Sequence, residues 1–198
     1  MLRTEENKPI NTLKIFADSK TFAIVTHQKP DVDAVASSLA MYWYLLDIGK
    51  KENDIDVIIP EYTDELSFIP GTEHLKKQPT KKYDLAIIVD CPEKRFIAGK
   101  KVLKLSKKTI CFGHHGLSRI YTHNSIINTC MSSCASVIYD VFPECRDINY
   151  FNCIAIGLIA DTSNLTLDVT DKEKQIIEIL KNKGVDIEEI SKKLIIKK

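Results

Sequence analysis

Short apolar runs alternate with longer segments of helical periodicity along this chain of 198 residues. Runs rich in β-branched residues predict strands at 22–26, 56–59, 85–89 and 109–112. Apolar residues at helical spacing predict helices at 35–48, 135–142 and 151–160. The run at 85–89 is continuous and apolar, which is typical of a buried parallel strand. This alternation predicts an α/β fold with a mainly parallel sheet flanked by helices on both faces.

The last third of the chain carries clear helix boundaries. Thr170-Asp-Lys-Glu173 is a capping box that predicts a helix to about Lys183, followed by Gly184 as a favourable helix end. Asp186 precedes a last short amphipathic stretch. We expect one domain over 1–198 that ends in a helical linker at about 185–198.

Composition excludes several classes of protein. Hydrophobic residues make up 44% and charged residues 28%, as in a globular protein. The formal net charge of +1 gives no general attraction for duplex nucleic acid. The chain opens with no secretory signal and has no apolar run long enough to span a bilayer. We therefore expect a cytoplasmic protein that binds neither duplex nucleic acid nor a membrane.

Metal-binding residue types follow three of the predicted strands. His27 follows the first strand, Asp90 the third and His114 the fourth. Because the carboxyl ends of parallel strands meet at one edge of a sheet, we expect these side chains to lie close together. Asp161 follows an apolar helix, and Asp31 and Asp33 follow the first strand. We expect these two aspartates to diverge in an extended loop, towards two neighbouring cations.

Carboxylate and imidazole ligands suit Mn²⁺ or Mg²⁺ better than structural zinc. Asp90, on the most rigid strand, is the natural bridge between two cations about 3.5–4 Å apart. Such a pair would lower the pKa of a bridging water, so that hydroxide attacks, and would clamp the phosphoryl oxygens. The sequence therefore predicts a phosphoesterase with two Mn²⁺ (or Mg²⁺) ions as cofactors.

The order of these motifs resembles the DHH phosphoesterase superfamily. The motifs are HxxPDxDxxxSS from His27, a strand ending in Asp90, the pair His114-His115, and GxxxDT around Asp161. The resemblance runs from about residue 21 to 193 and is strongest to bacterial oligoribonucleases and 3′-phosphoadenosine 5′-phosphate phosphatases. It implies a Rossmann-like catalytic domain that hydrolyses short oligonucleotides or nucleoside bisphosphates, as an exonuclease or phosphatase does.

The resemblance also implies roles for individual residues. The first cation would be held by His27, Asp31 and Asp90. The second would be held by Asp33, Asp90, His114 and Asp161. His115 matches a position that contacts the substrate phosphate and acts as an acid, so the expected catalytic residues are His115 and Asp90. Arg95 matches an arginine that contacts substrate phosphate, with a structural ion pair as the alternative.

The chain departs from the family pattern in several places. Gly113 stands where the family has the aspartate of Asp-His-His, and loss of such an outer-sphere partner typically costs about 10–100-fold in metal affinity or activity. Thr162-Ser163-Asn164-Leu165 replaces Thr-Gly-x-Phe, and Ser136 replaces a glutamate. We also expect this chain to have no counterpart of the family's C-terminal substrate-binding domain.

Other functions stay open at this point. One alternative is an inorganic pyrophosphatase or polyphosphatase, and another is a catalytically weakened metal- or nucleotide-binding module. A nucleotide-binding fold without metal ranks last, because no G-x-G-x-x-G or GxxxxGK[ST] motif follows a strand. The oligomeric state is also open, with a homodimer as one candidate.

Overall fold

The structure is a computed structural model that describes residues 3–4, 11–116 and 119–195. Its strands are β1 (Arg3–Thr4), β2 (Phe22–Val25), β3 (Ile55–Ile58), β4 (Leu75–Lys76), β5 (Tyr83–Val89), β6 (Ser106–Gly113) and β7 (Asn124–Ile127). Its helices are α1 (Thr12–Asp18), α2 (Val32–Asp47), α3 (Lys101–Leu105), α4 (Cys134–Val141), α5 (Ile148–Asp161), α6 (Asp171–Asn182) and α7 (Ile187–Ile195).

The strands form one sheet in the order β1-β7-β6-β5-β2-β3-β4. Strands β2 to β7 pair in parallel, and β1 pairs antiparallel with β7 at one edge. At the centre, Ala23 of β2 lies beside Ala86 of β5. The predicted α/β fold with a mainly parallel sheet is therefore confirmed, and the ends of β2, β5 and β6 are neighbours at its carboxyl edge.

Apolar side chains cover both faces of the sheet. On one face, alternate strand residues such as Ile24 and Ile87 pack with α1, α2, α4 and α5 in the larger core, which also takes in α6 and α7. On the other face, Ala23 and Ile88 pack with Val102 of α3 in a smaller cluster. Side chains alternate across a strand, so each central strand is buried on both sides. Helices flank both faces, as predicted.

The four predicted strands and the predicted helices are all present, with small shifts of their ends. β1, β4, β7, α1 and α3 were not predicted, because each is short and lacks a continuous apolar run. The capping box at α6 is confirmed: the Thr170 and Glu173 side chains each accept from the other residue's backbone N–H.

Within the described residues, no helix combines the length and apolar character needed to cross a membrane. Residues 196–198 of the predicted linker lie outside the described residues.

The extended loop expected around Asp31 and Asp33 is wrong. Helix α2 begins at Val32, and Asp31 is its N-cap, with a side chain that accepts from the backbone N–H of Ala34 at 2.9 Å. Asp33 lies in the first helical turn and is fully buried. Aspartate at an N-cap is strongly favoured, since it satisfies an N–H that has no partner in the helix.

Candidate metal centre

The carboxyl ends of the central strands bring acidic and histidine side chains together. His27 Nε2 lies 3.8 Å from Asp90 Oδ2, and His114 Nε2 lies 3.6 Å from Asp90 Oδ1. The C-terminal end of α5 adds Asp161, whose Oδ2 lies 3.4 Å from His114 Nε2. Asp90 is therefore the central residue of the group, as expected from its place after β5.

Asp90 has a left-handed backbone, with a φ of 48°. This region is uncommon for residues other than glycine, although aspartate and asparagine tolerate it best. The Asp90 N–H donates to the Phe112 carbonyl of the neighbouring strand at 2.9 Å, which holds the turn in place. Strained backbone of this kind concentrates at functional sites. At Asp90 it accompanies a carboxylate that lies between His27, after β2, and His114, after β6.

Asp33 reaches the centre from α2 and is held by another helix. Its Oδ2 accepts from the Cys134 N–H at 2.7 Å, and its Oδ1 accepts from the Ala135 N–H at 3.1 Å. The Ser37 hydroxyl donates to the same Oδ1 at 3.0 Å. A carboxylate has about four lone-pair positions, so these three bonds leave Oδ2 one position for a cation.

The side chains form three groups in which donor atoms lie within 4.8 Å of one another. One group is His27, Asp31 and Asp90, the set expected for the first cation. Another is Asp33, His114 and Asp161, which holds three of the four ligands expected for the second cation. A third joins Asp90 and His114 to His115. All six expected ligands are thus brought to one place.

Unpartnered atoms in this group indicate that a cation fits it. Asp90 is 4% exposed, yet its Oδ1 has no hydrogen-bond partner among the described residues. His114 Nε2 is likewise buried and without a hydrogen-bond partner in that part of the chain. Burial of such atoms costs free energy unless something compensates. The separations of 3.4–3.8 Å exceed hydrogen-bond length and leave room for an ion to be shared.

The electrostatics of the group also favour a cation. Burial raises the pKa of the Asp90 carboxyl, and the nearby charges of Asp33, Asp31 and Asp161 raise it further. Burial, followed by the Asp33 charge, raises the pKa of Asp161 in the same way. Burial and the neighbouring His115 lower the pKa of His114 to about 4. His114 is therefore neutral at physiological pH and keeps a lone pair that can bind a cation. The clustered carboxyl groups can all be ionised only when a nearby positive charge, such as a bound cation, offsets their repulsion.

A cleft of about 330 Å³ opens over the group, lined by His27, Asp31, Asp90, Phe96 and His115 among others. The His115 ring is exposed and lies 3.9 Å, between centroids, from the His114 ring. His115 is therefore accessible to a substrate bound in the cleft.

Arg95 is adjacent to Phe96, which lines this cleft, and its side chain pairs with Glu93. It is 70% exposed, and its Nε lies 2.6 Å from Glu93 Oε2. Its guanidinium also lies over the Phe96 ring, 4.6 Å from the centroid. The structure thus has the ion pair that was the alternative interpretation, and a phosphate contact by Arg95 stays a prediction.

A second cavity, of about 470 Å³, was not predicted from the sequence. It lies beside the centre, because Val32 stands between Asp31 and Asp33, and Ala160 precedes Asp161. Most of its lining is apolar: Val32, Leu66, Phe68, Ile159, Ala160, Leu194 and Ile195. The polar lining is Glu65, Ser163 and Asn164, the last two from a turn in which residues 163, 164 and 165 all have positive φ. That turn is the segment that departs from Thr-Gly-x-Phe.

Comparison with known proteins agrees with this geometry. The family model described as "DHH family, N-terminal domain" matches residues 21–161. The chain belongs to the DHH family. Its match runs from the start of β2 to Asp161, and so includes every residue of the metal centre described above. No curated protein matches the chain.

Two solved structures share the fold. An exopolyphosphatase-related protein from Bacteroides fragilis aligns with a TM-score of 0.82 at 22% identity, over 92% of this chain and 58% of its own. A putative family II inorganic pyrophosphatase from Methanococcus jannaschii aligns with a TM-score of 0.62 at 19% identity, over 88% of this chain and 60% of its own. The chain thus spans less than two thirds of either protein, and at these identities the likeness concerns the fold.

Proposed function

We propose that this DHH-family chain is a two-cation phosphoesterase that uses Mn²⁺ or Mg²⁺ and hydrolyses short oligonucleotides or nucleoside bisphosphates. The observation that carries the proposal is the group around Asp90, where six carboxylate and imidazole side chains converge and two buried donor atoms have no partner. Family membership supports a hydrolase of phosphate compounds.

In this proposal, His27, Asp31 and Asp90 hold one cation. Asp33, Asp90, His114 and Asp161 hold the other. Divalent cations bound in pairs lower the pKa of water and neutralise charge on the phosphoryl group. The role of the chain is to keep these ligands fixed before substrate arrives, through the capped start of α2 and the backbone bonds to Asp33.

His115 is the proposed proton donor. Its ring is exposed in the cleft beside Asp90, whereas the neighbouring His114 ring is mostly buried and faces the carboxylates. A general acid must reach the oxygen of the leaving group, and an exposed ring at the cleft wall can do so. The buried ring is left to bind a cation through Nε2.

The apolar cavity supports an organic phosphate over an inorganic one. It adjoins the proposed ligands at Val32 and Ala160 and is lined mainly by aliphatic side chains. A nucleobase or sugar attached to the phosphate would bury apolar surface there and contact the polar edge at Asn164. Pyrophosphate and polyphosphate have no part that gains from such a surface.

Hydrolysis of inorganic pyrophosphate or polyphosphate is the second candidate. The names of the two structural neighbours favour it, since they refer to those compounds. A weakened binding module is the third, and Gly113 is the residue that favours it. Retention of all six proposed ligands counts against that module.

A matched screen would separate these candidates. The protein is loaded with Mn²⁺ and given a dinucleotide with a 5′-phosphate, a nucleoside 3′,5′-bisphosphate, pyrophosphate or tripolyphosphate, and release of phosphate or mononucleotide is measured. We expect turnover of the organic esters and its loss in Asp90→Asn. Preference for pyrophosphate or tripolyphosphate would overturn the substrate assignment, and no turnover of any compound would favour the binding module.

A further inference from the structure

A buried carboxylate outside the metal centre has no role in the function proposed above. Glu173, in the first turn of α6, is fully buried. Its carboxylate accepts from the Thr170 N–H at 3.0 Å and the Thr170 hydroxyl at 2.8 Å. It also accepts from the Ser132 N–H at 2.7 Å and the Ser132 hydroxyl at 2.7 Å. The bonds with Thr170 cap α6, but those with Ser132 reach a residue 41 positions away that does not belong to this helix.

Ser132 lies in the segment that joins β7 to α4, which we call the 128–133 segment. It leads into the backbone that holds one of the proposed second-cation ligands. At its end, α4 begins with the Cys134 and Ala135 N–H groups that donate to Asp33. Whatever fixes this segment therefore fixes the surroundings of Asp33.

We propose that Glu173 is a positioning residue for the second cation, because it anchors the 128–133 segment and so orients Asp33. This inference rests on the proposed function. Groups that hydrogen-bond to a metal ligand fix its orientation and tune its affinity for the metal. The Cys134 and Ala135 N–H groups can hold the Asp33 carboxylate only if the start of α4 is held, and Glu173 holds the segment that leads into it.

The alternative is that Glu173 only caps α6. The two roles use different bonds of the same carboxylate, so they can be separated by substitution. Thr170→Ala removes the hydroxyl that caps α6 but leaves both bonds to Ser132. Glu173→Ala removes both sets, while Glu173→Gln keeps the shape but only one of the two acceptor oxygens. Ser132→Ala removes the hydroxyl, which contacts both Glu173 and the Asp168 carbonyl, but it keeps the bond from the Ser132 N–H to Glu173, so we expect a milder variant.

The first measurement is Mn²⁺ binding to the full chain by calorimetric titration, with the two affinities resolved. We expect Glu173→Ala to weaken binding of the second cation by about 10-fold, the lower end of the cost of losing a group bonded directly to a ligand, because Glu173 acts through the 128–133 segment. The first cation, held by His27, Asp31 and Asp90, should keep its affinity. Glu173→Gln and Ser132→Ala should give smaller losses. Thr170→Ala should lower the melting temperature without changing either affinity.

The second measurement needs no metal. Hydrogen exchange followed by NMR of the metal-free protein reports the protection of the Cys134 and Ala135 N–H groups that donate to Asp33. Relative to the amides of α5, we expect both groups to stay protected in the wild type and in Thr170→Ala, and to exchange faster in Glu173→Ala.

Three results would overturn the positioning role: equal losses for both cations, equal effects of Thr170→Ala and Glu173→Ala, or unchanged protection of the Cys134 and Ala135 amides in Glu173→Ala. If the wild type fails to bind two cations, the proposed function fails instead, while the exchange of these two amides still decides the role of Glu173.

Discussion

Helix α5 approaches the metal centre so closely at Gly157 that a single added methyl group should disturb it. A Cβ on Gly157 would lie 2.4 Å from Asp33 Oδ1 and 2.7 Å from the Ala135 Cβ. Both separations are about 1 Å shorter than ordinary van der Waals contact. Gly157→Ala must therefore displace α5 or turn the Asp33 carboxylate away from α4.

The free energy of this change can be worked out from its parts. Overpacking of a core costs about 1–3 kcal/mol. Loss of a hydrogen bond between Asp33 and an α4 N–H adds about 1.5–3 kcal/mol where the carboxylate turns. Alanine recovers about 1 kcal/mol of helix propensity over glycine. We expect Gly157→Ala to lower the free energy of unfolding by about 2 kcal/mol, or the melting temperature by about 4–8 °C in a chain of this size.

Urea unfolding in EDTA measures this loss, and a double-mutant cycle tests its cause. In an Asp33→Ala background the clashing oxygen is gone, so the cost of Gly157→Ala should shrink by about 1 kcal/mol or more. Gly113→Ala is the control, because its Cβ would meet only Ile127 Cδ1, at an ordinary 3.5 Å. Stabilisation by Gly157→Ala, or the same cost with and without Asp33, would show that contact with the Asp33 carboxylate does not cause the loss.

Three further predictions concern charge. Asp90→Asn should raise the melting temperature in EDTA at pH 7, because a neutral amide avoids the desolvation and repulsion that raise the Asp90 pKa. In Mn²⁺ the wild type should melt at the higher temperature instead. Melting curves that rank the two proteins the same way in EDTA and in Mn²⁺ would contradict this. Gly113→Asp should tighten second-cation binding by about 10-fold in a Mn²⁺ titration, since its Cβ has space and the carboxylate would restore an outer-sphere partner. Burial of Asp56 acts to raise its pKa, but hydrogen bonds from Lys76 and Thr80, among others, lower it to about 2. The pKa of Asp56 is lower in the folded than in the unfolded state, so this group should contribute about 2 kcal/mol of stability above pH 4, which is lost as the pH falls through 2. In urea unfolding at stepped pH, Asp56→Asn should remove this dependence of the free energy of unfolding on pH.

The sequence predicted the sheet and the position of the centre because both depend on strong, local signals. Continuous apolar runs such as 85–89 mark buried strands, and a general rule places ligands at their carboxyl ends. His27, Asp90 and His114 could therefore be placed at one edge before any coordinates. The resemblance to the DHH superfamily was needed to add His115 and to divide the ligands between two cations.

What the sequence missed depends on contacts between distant segments. Asp33 accepts from an N–H 101 residues away, and Glu173 accepts from one 41 residues away. No local pattern reveals such pairs. The cavity beside the centre is formed where α2, α5 and α7 pack together, so it too appears only with the tertiary structure. The extended loop at Asp31 was an avoidable error, since aspartate directly before a helical pattern is a typical N-cap.

The most direct test of the two-cation centre is a count of the Mn²⁺ ions bound after equilibrium dialysis, by elemental analysis, in the wild type and Asp90→Asn. Asparagine suits the left-handed backbone at this position as well as aspartate does, so the variant changes the charge while leaving the turn intact. We expect about two ions per chain in the wild type and a clear loss in the variant. A count of one or none in the wild type, or the same count in both proteins, would contradict a two-cation centre bridged by Asp90.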